Sequence, residues 1–332
     1  YDYPLKNMRI NISGIGTGYT DESGNFSLSG TAGSNTITAG FDGPWVDVDR
    51  YTGTDASHSG TITDGTPYTI DWDNGNSLDA ERDCFAFVNH QHDWLKDLDG
   101  VWTGMDYEMP CIIERTDGYC PGNAWWDGSG INFCSESASY GNTGRMADVV
   151  YHEYGHGITD FLYGANDPPS DLHEGNSDIV ANLILRESIM GKGYYIGNCV
   201  SGIRDSDNSI QNPCYDSGHY CGQVIAGFHW DAMLDLQTLY GEQAGTVKMA
   251  TDWHYGRVLL EPTTQPDQVF ATFVADDDDD DVGNGTPHYE LYSAAANNHG
   301  FDPPPLQFGV LISHAGLDDV EATGDPIAVS AE

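Results

Sequence analysis

At 332 residues the chain is longer than one average domain and can bury a core of ordinary size with residues left for an appended module. Twelve Lys plus Arg stand against 52 Asp plus Glu, a formal charge of -40 that disfavours nucleic acid and anionic membrane as partners. Only four lysines occur, so the acidity reads as a solvated face suited to high salt, with calcium binding by part of it as the sharper alternative.

Residues 1-75 are rich in Gly, Thr, Ser and Asp, with the short alternating segments Asn25-Phe26-Ser27-Leu28-Ser29 and Thr36-Ile37-Thr38-Ala39 set between turn signals. This pattern predicts a β-rich module. From Asp79 to Leu95 apolar residues fall at helical spacing, which predicts a helix. A second is expected from about Thr143 to Tyr163, with Met146, Val149, Val150 and Ile158 on its apolar face. A third runs from about Leu172 to Met190 and stops at Gly191-Lys192-Gly193. A fourth begins near Gly222 and carries Val224, Ile225, Phe228 and Leu234, and Tyr289 to His299 reads as a last short helix. Asp302-Pro303-Pro304-Pro305 is a stiff linker, after which Gly309-Val310-Leu311-Ile312-Ser313 and Ile327-Ala328-Val329 are strand-like.

The seven cysteines contain no CxxC, so they do not form a zinc ribbon or a thioredoxin-type pair. Disulfides fit better, with one local bridge expected among Cys111, Cys120 and Cys134 and another among Cys199, Cys214 and Cys221. The odd count leaves at least one thiol unpaired within the chain. No run of about eighteen apolar residues exists. The chain opens on Tyr1-Asp2-Tyr3-Pro4 and reads as a mature fragment of a secreted or cell-surface protein.

The chemistry begins at His152-Glu153-Tyr154-Gly155-His156. A helix brings residues i and i+4 onto one face, so His152 and His156 offer two imidazole nitrogens to one ion while Glu153 lies beside the water on that ion. Hydrolytic zinc commonly takes three protein ligands and keeps one position for water. The HExxHxxGxxH pattern does not supply the third, because Thr159 and Leu162 stand where its Gly and His would be. Glu174 and Asp178 are spaced i, i+4 on the next helix, so one carboxylate can reach the metal while the other accepts a hydrogen bond from a ligand imidazole. The expected arrangement has Glu174 on the metal and Asp178 on His152. His173, about 100° away from Glu174 around the helix, is expected at the surface.

In this pattern the sequence resembles the thermolysin-like gluzincins, most closely the fungalysin branch and its bacterial relatives. Four stretches carry the resemblance in order: Asn123-Ala124-Trp125-Trp126-Asp127-Gly128, His152 to His156, Glu174-Gly175-Asn176-Ser177-Asp178, and His219-Tyr220-Cys221-Gly222-Gln223-Val224. Asn284-Gly285-Thr286-Pro287-His288 is similar to a segment near the end of such domains. The resemblance implies an α+β zinc peptidase domain over residues 76-301, with a β-rich N-terminal lobe, a helical C-terminal lobe and an active-site cleft between them. Residues 1-75 would precede it as a small β module, and residues 302-332 would follow as a linker and a partial or accessory β segment.

The resemblance also implies roles. Asn123 and Ala124 would hydrogen-bond the backbone of a peptide substrate added as a strand. His219 would donate to the oxyanion of the tetrahedral intermediate, with Asp216 orienting it at a spacing shorter than the family's. Arg204 would grip the substrate carbonyl beyond the scissile bond, and Val149 and Ile203 would line an apolar pocket there. Where the family places a tyrosine on the loop between the ligand-bearing helices, this chain has Asp167, with Tyr163 the nearest tyrosine. The implied activity is a zinc-dependent endopeptidase acting on proteins or peptides, with Glu153 as general base.

The six carboxylates Asp276, Asp277, Asp278, Asp279, Asp280 and Asp281 crowd into a turn-rich segment whose repulsion a cation would relieve. Calcium suits oxygen ligands, although the spacing is not that of an EF-hand, and a solvated acidic loop is the alternative. For the chain as a whole the alternatives are a non-catalytic scaffold or adhesin of the same fold, and a metal-dependent hydrolase of a non-peptide substrate.

Overall fold

The computed structural model describes residues 3-30 and 33-307. The strand-like segments expected at 309-313 and 327-329 lie outside the described residues.

The N-terminal part contains β1 (Arg9–Ile12), β2 (Gly16–Tyr19), β3 (Ser34–Gly40), β4 (Val46–Arg50) and β5 (Ser57–Thr63). Four of these form an antiparallel sheet in the order β2-β1-β3-β5, and its alternation buries Ile10, Ile12, Ile37 and Ala39 on one face. The expected strand at Thr36 to Ala39 is the middle of β3, whereas Asn25 to Ser29 forms no strand. After β5 the chain enters α1 (Asp79–Leu98), where the Glu81 carboxylate accepts the Leu78 amide at 2.7 Å.

β6 (Met109–Arg115), β7 (Ala124–Trp126) and β8 (Ile131–Cys134) build a second sheet, in the order β4-β6-β8-β7. β4 pairs in parallel with β6, so a strand from within residues 1-75 is built into the sheet that walls the cleft. Arg50, at the end of β4, grips the fully buried Glu81 through Nε and Nη2 at 2.8 and 2.6 Å, locking α1 onto this sheet. At the opposite edge, among the described residues, β7 pairs only with β8. The Cys120–Cys134 disulfide closes the loop leading into β7.

The helical part consists of α2 (Ala147–Tyr163), α3 (Ser170–Leu185), α4 (Gly218–Tyr240), α5 (Glu242–Leu260), α6 (Gln265–Asp276) and α7 (Tyr289–Asn298), with a two-stranded ribbon of β9 (Ile189–Met190) and β10 (Arg204–Asp205) inserted after α3. Val150, Tyr154 and Ile158 of α2 are buried against Ile179 and Val180 of α3 and Val224, Ile225 and Phe228 of α4 in one core that also takes in β1, β3 and β8. The third helix ends earlier than its apolar pattern predicts. Arg186 adopts the left-handed conformation and donates its amide to the Asn182 carbonyl at 2.7 Å, which frees Ile189 and Met190 to pair with β10. The fourth helix begins four residues earlier than expected, at Gly218, because Ser217 caps it.

α3 and α4 cross at two glycines. A Cβ on Gly175 would lie 2.8 Å from the Gly222 carbonyl, and one on Gly222 would lie 2.8 Å from the Gly175 amide. Backbone on backbone leaves nothing flexible to yield. Gly222→Ala is therefore expected to destabilise the protein by about 1–3 kcal/mol in urea unfolding, with an effect within error showing that the helices can separate freely.

Two disulfides are present, Cys120–Cys134 and Cys214–Cys221, one in each group expected from the spacing. Cys84 and Cys111 are unpaired and buried, and Cys199 is unpaired and exposed. Among the described residues no helix is long and apolar enough to cross a membrane.

Candidate metal centre

α2 and α3 pack so that His152, His156 and Glu174 each bring a ligand atom to one point, all within 4.8 Å of one another. Glu174 Oε2 lies 3.2 Å from His152 Nε2 and 3.8 Å from His156 Nε2. Ligands on a tetrahedral ion with bonds near 2.0 Å sit about 3.3 Å apart, so this spacing suits zinc. Glu174 Oε2 is also buried without a directed hydrogen bond, although three imidazoles face it. An orphaned carboxylate oxygen among imidazole nitrogens is the donor set of a cation site, and the residues fit a divalent metal.

The surrounding groups fix the orientation of these donors. Asp178 Oδ1 accepts from His152 Nδ1 at 2.7 Å, which leaves Nε2 to the metal. Arg204, on β10, holds the same carboxylate with Nε at 2.7 Å and Nη2 at 2.8 Å. Burial works against ionisation of Asp178, but Arg204 and His152 overcome it and hold the carboxyl well below the usual range. Burial likewise opposes the charge on Glu174, and His152, His156 and His219 outweigh it, bringing this carboxyl down to about 2. Glu153 behaves in the opposite way: burial pushes its carboxyl up to about 7, offset by His152 and reinforced by Glu174.

His152, Glu153, His156, Glu174 and Arg204 line a cleft of about 720 Å³ between the second sheet and the helices, with Asp178 behind them. Asn123 and Ala124 form its edge-strand wall, and Val149, Met190, Tyr194 and Ile203 supply an apolar side. The Asn123 carbonyl is already taken by the Thr143 hydroxyl and the Cys134 amide, at 2.8 and 3.1 Å, so this stretch is rigid. His219, in the first turn of α4, also lines the cleft; its side chain is 61% exposed and its Nε2 lies 3.3 Å from Glu174 Oε2.

Several expectations need correction. Asp216 is not brought onto His219: its carboxylate accepts the Ser217 amide at 2.7 Å in the turn before α4, and no hydrogen bond joins it to His219 among the described residues. His173 is not a surface residue, because it packs against His156 with Nδ1 atoms 2.6 Å apart. The loop tyrosine finds no substitute in Tyr163, which is buried away from the cleft, while Asp167 does line it. Asp276 stands apart from the aspartate run: both its oxygens are occupied, by Lys248, His288 and Thr286, at 2.6 to 2.8 Å. It is a buried anchor between α5, α6 and the turn before α7, not a free ligand. Of the others, Asp277, Asp278 and Asp279 bring carboxylate oxygens within 4.8 Å of one another. Asp281 accepts the Gly283 amide and donates its own amide to Asp279, and Asp280 between Asp279 and Asp281 has φ of 66°.

The fold is thus α+β, a β-rich part followed by a helical part, with an edge strand and a His–His–Glu donor set in one cleft. The precursor of protealysin, a metalloproteinase from Serratia proteamaculans, shares this fold, with a TM-score of 0.57 at 13% identity over 83% of this chain and 91% of that one. No family model matches the sequence, and no curated protein does either.

Removing Arg204 would leave the buried Asp178 carboxylate, 1% exposed, with His152 alone among its side-chain partners. Arg204→Met should therefore destabilise the metal-free protein by about 3–5 kcal/mol in chemical denaturation. A loss below 1 kcal/mol would show that the pair adds nothing to the fold.

Proposed function

We propose that the chain is a secreted zinc-dependent endopeptidase of the thermolysin-like gluzincin type, akin to the fungalysin branch. The observation that carries this reading is the placement of His152, His156 and Glu174 in the same cleft as β7, an edge strand with one free side. An extended peptide can add to that edge through backbone hydrogen bonds, which brings an amide bond to the metal whatever its side chains. The two disulfides support an oxidising compartment.

Zinc bound at the three donors would supply Lewis acidity and lower the pKa of its water. Glu153 would take the proton of that water as it attacks the scissile carbonyl, then deliver it to the leaving amine. His219 would donate to the oxyanion from the first turn of α4. Arg204 has Nε and Nη2 on Asp178, while Nη1 takes no protein acceptor among the described residues and is free to hold a substrate carbonyl. Val149, Met190 and Ile203 would favour an apolar residue after the scissile bond.

Glu153→Gln should bind zinc as the wild type does and lose about 10²–10⁴-fold in peptide cleavage; undiminished cleavage would sink the mechanism. In a peptide library the wild type should select apolar residues on the amine side of the cut, and a dominant charged residue there would refute the pocket assignment.

We also propose that Asp277, Asp278 and Asp279 take calcium, since oxygen ligands alone suit that ion. At a hundredfold excess over Kd calcium would add about 2.7 kcal/mol of stability. A thermal melt should therefore fall by several degrees with a calcium-selective chelator, and superimposable melts would remove calcium from the account.

A further inference from the structure

Arg257, on α5, has no exposure to solvent and forms no ion pair among the described residues. Its guanidinium lies over the Trp253 ring, 3.7 Å from the ring centroid, and Nη1 reaches the Thr159 hydroxyl of α2 at 3.4 Å. Nε and Nη2 are buried without a hydrogen-bond partner among the described residues. The carboxylates of the same helix are engaged elsewhere, Glu242 with Arg186 and Asp252 with Lys248 and Tyr292. Glu261, exposed just past the helix end, accepts from Asn166 at 3.0 Å.

The two orphaned donors share one edge of the guanidinium plane. Nε–H and Nη2–H project side by side there, the fork with which an arginine grips an anion at two points. Arg204 uses the same edge on Asp178. A third orphan belongs to this place. Tyr163 follows Thr159 by four residues and so shares its face of α2; its ring is buried and its hydroxyl has no partner among the described residues. Burial pulls the Arg257 guanidinium down to about 10, which leaves it charged at neutral pH.

Water alone does not complete this environment. A water at the fork would accept two N–H bonds, then need acceptors for its own two protons, and it would leave the positive charge unbalanced. A monovalent anion accepts from all three donors and cancels the charge. A divalent oxyanion would reverse the imbalance at a larger desolvation cost. The donors are shut off from solvent, so the occupant is a small free ion, not a group on a larger ligand. We propose that the Nε–Nη2 edge of Arg257, together with the Tyr163 hydroxyl, holds an internal halide ion, chloride in ordinary salt, between α2 and α5. The ion pins the last turn of the helix that carries His152 and His156, and its binding does not depend on what those histidines hold. A surface with a formal charge of -40 repels anions, so any gain from chloride has to come from a local site of this kind.

Thermal melts of the full chain in sodium chloride and in sodium gluconate at equal concentration keep the cation and the ionic strength the same and change only whether the anion fits. The melt should lie several degrees higher in chloride, rise with its concentration to a plateau, and be restored by bromide. In Tyr163→Phe the midpoint of that rise should move to about 2–10-fold higher chloride, the loss of one hydrogen bond. Arg257→Met, which removes the charge at similar length, should melt alike in both salts. Crystals soaked in bromide should show an anomalous peak within hydrogen-bonding distance of Arg257 Nε and Nη2. Superimposable wild-type melts in the two sodium salts would overturn the proposal, as would chloride dependence retained in Arg257→Met or water alone at the fork in the bromide-soaked crystal. If Arg257→Met does not fold, an unchanged midpoint in Tyr163→Phe together with no bromide at the fork overturns it.

Discussion

The close crossing of α2, α3 and α4 is the constraint on which the site depends. Ligands on separate helices can share one ion only if the helix axes approach closely, and side chains larger than hydrogen at the crossing would prevent it. Gly155 faces Val180 and Ser177, where a Cβ would come within 3.0 Å of the Ser177 Cα, and Gly175 meets Gly222 backbone to backbone. These contacts bring Glu174 to the two histidines on one side and to His219 on the other. The conformational freedom of glycine is secondary here, since each of these glycines is helical. What matters is the missing Cβ.

Packing at this distance puts charges out of water, and the site is organised around that cost. Four ionisable groups, His152, Glu174, Asp178 and Arg204, are largely buried. Isolated, each would be strongly unfavourable, so each is held by the next. Arg204 offsets Asp178, Asp178 orients His152, and the remaining negative charge falls on Glu174, whose free oxygen faces the imidazoles. Glu153 is left outside this pairing, and its raised proton affinity follows. Glu153 and Glu174 thus acquire opposite tendencies from one buried cluster.

Much of this was legible in the sequence, and the parts that were not have physical reasons. The i, i+4 spacing of His152 and His156, and of Glu174 and Asp178, is read directly from helix geometry. Helices with continuous apolar faces, such as α2, were visible for the same reason. α5 and α6 were missed because their buried positions are often polar: Asp252, His254 and Arg257 in α5, and Gln268, Thr272 and Asp276 in α6, are all buried. Several meet a partner distant in sequence, as with His254 and Asp99 at 3.0 Å, and Arg257 lies over the Trp253 ring. Hydrophobic periodicity cannot register a face whose polarity is cancelled by tertiary contacts. The β9–β10 ribbon was hidden because its strands are two residues long. His173 lies about 100° from Glu174 around α3, but an angle on one helix does not say what packs beside it, and α2 brings His156 against that ring.

The place of β4 has a consequence for how the molecule divides. Composition sets residues 1-75 apart, yet β4 lies in parallel register with β6 from Val46 opposite Met109 to Arg50 opposite Ile113, and its last residue clamps α1. A shortened chain beginning after this stretch would expose the β6 flank, leave the buried Glu81 without the Arg50 charge that balances it, and present a sticky sheet border to other copies. In inheritance and in engineering alike, the boundary that matters here is drawn by hydrogen-bond pairing, and the leading segment travels with the cleft as part of its wall.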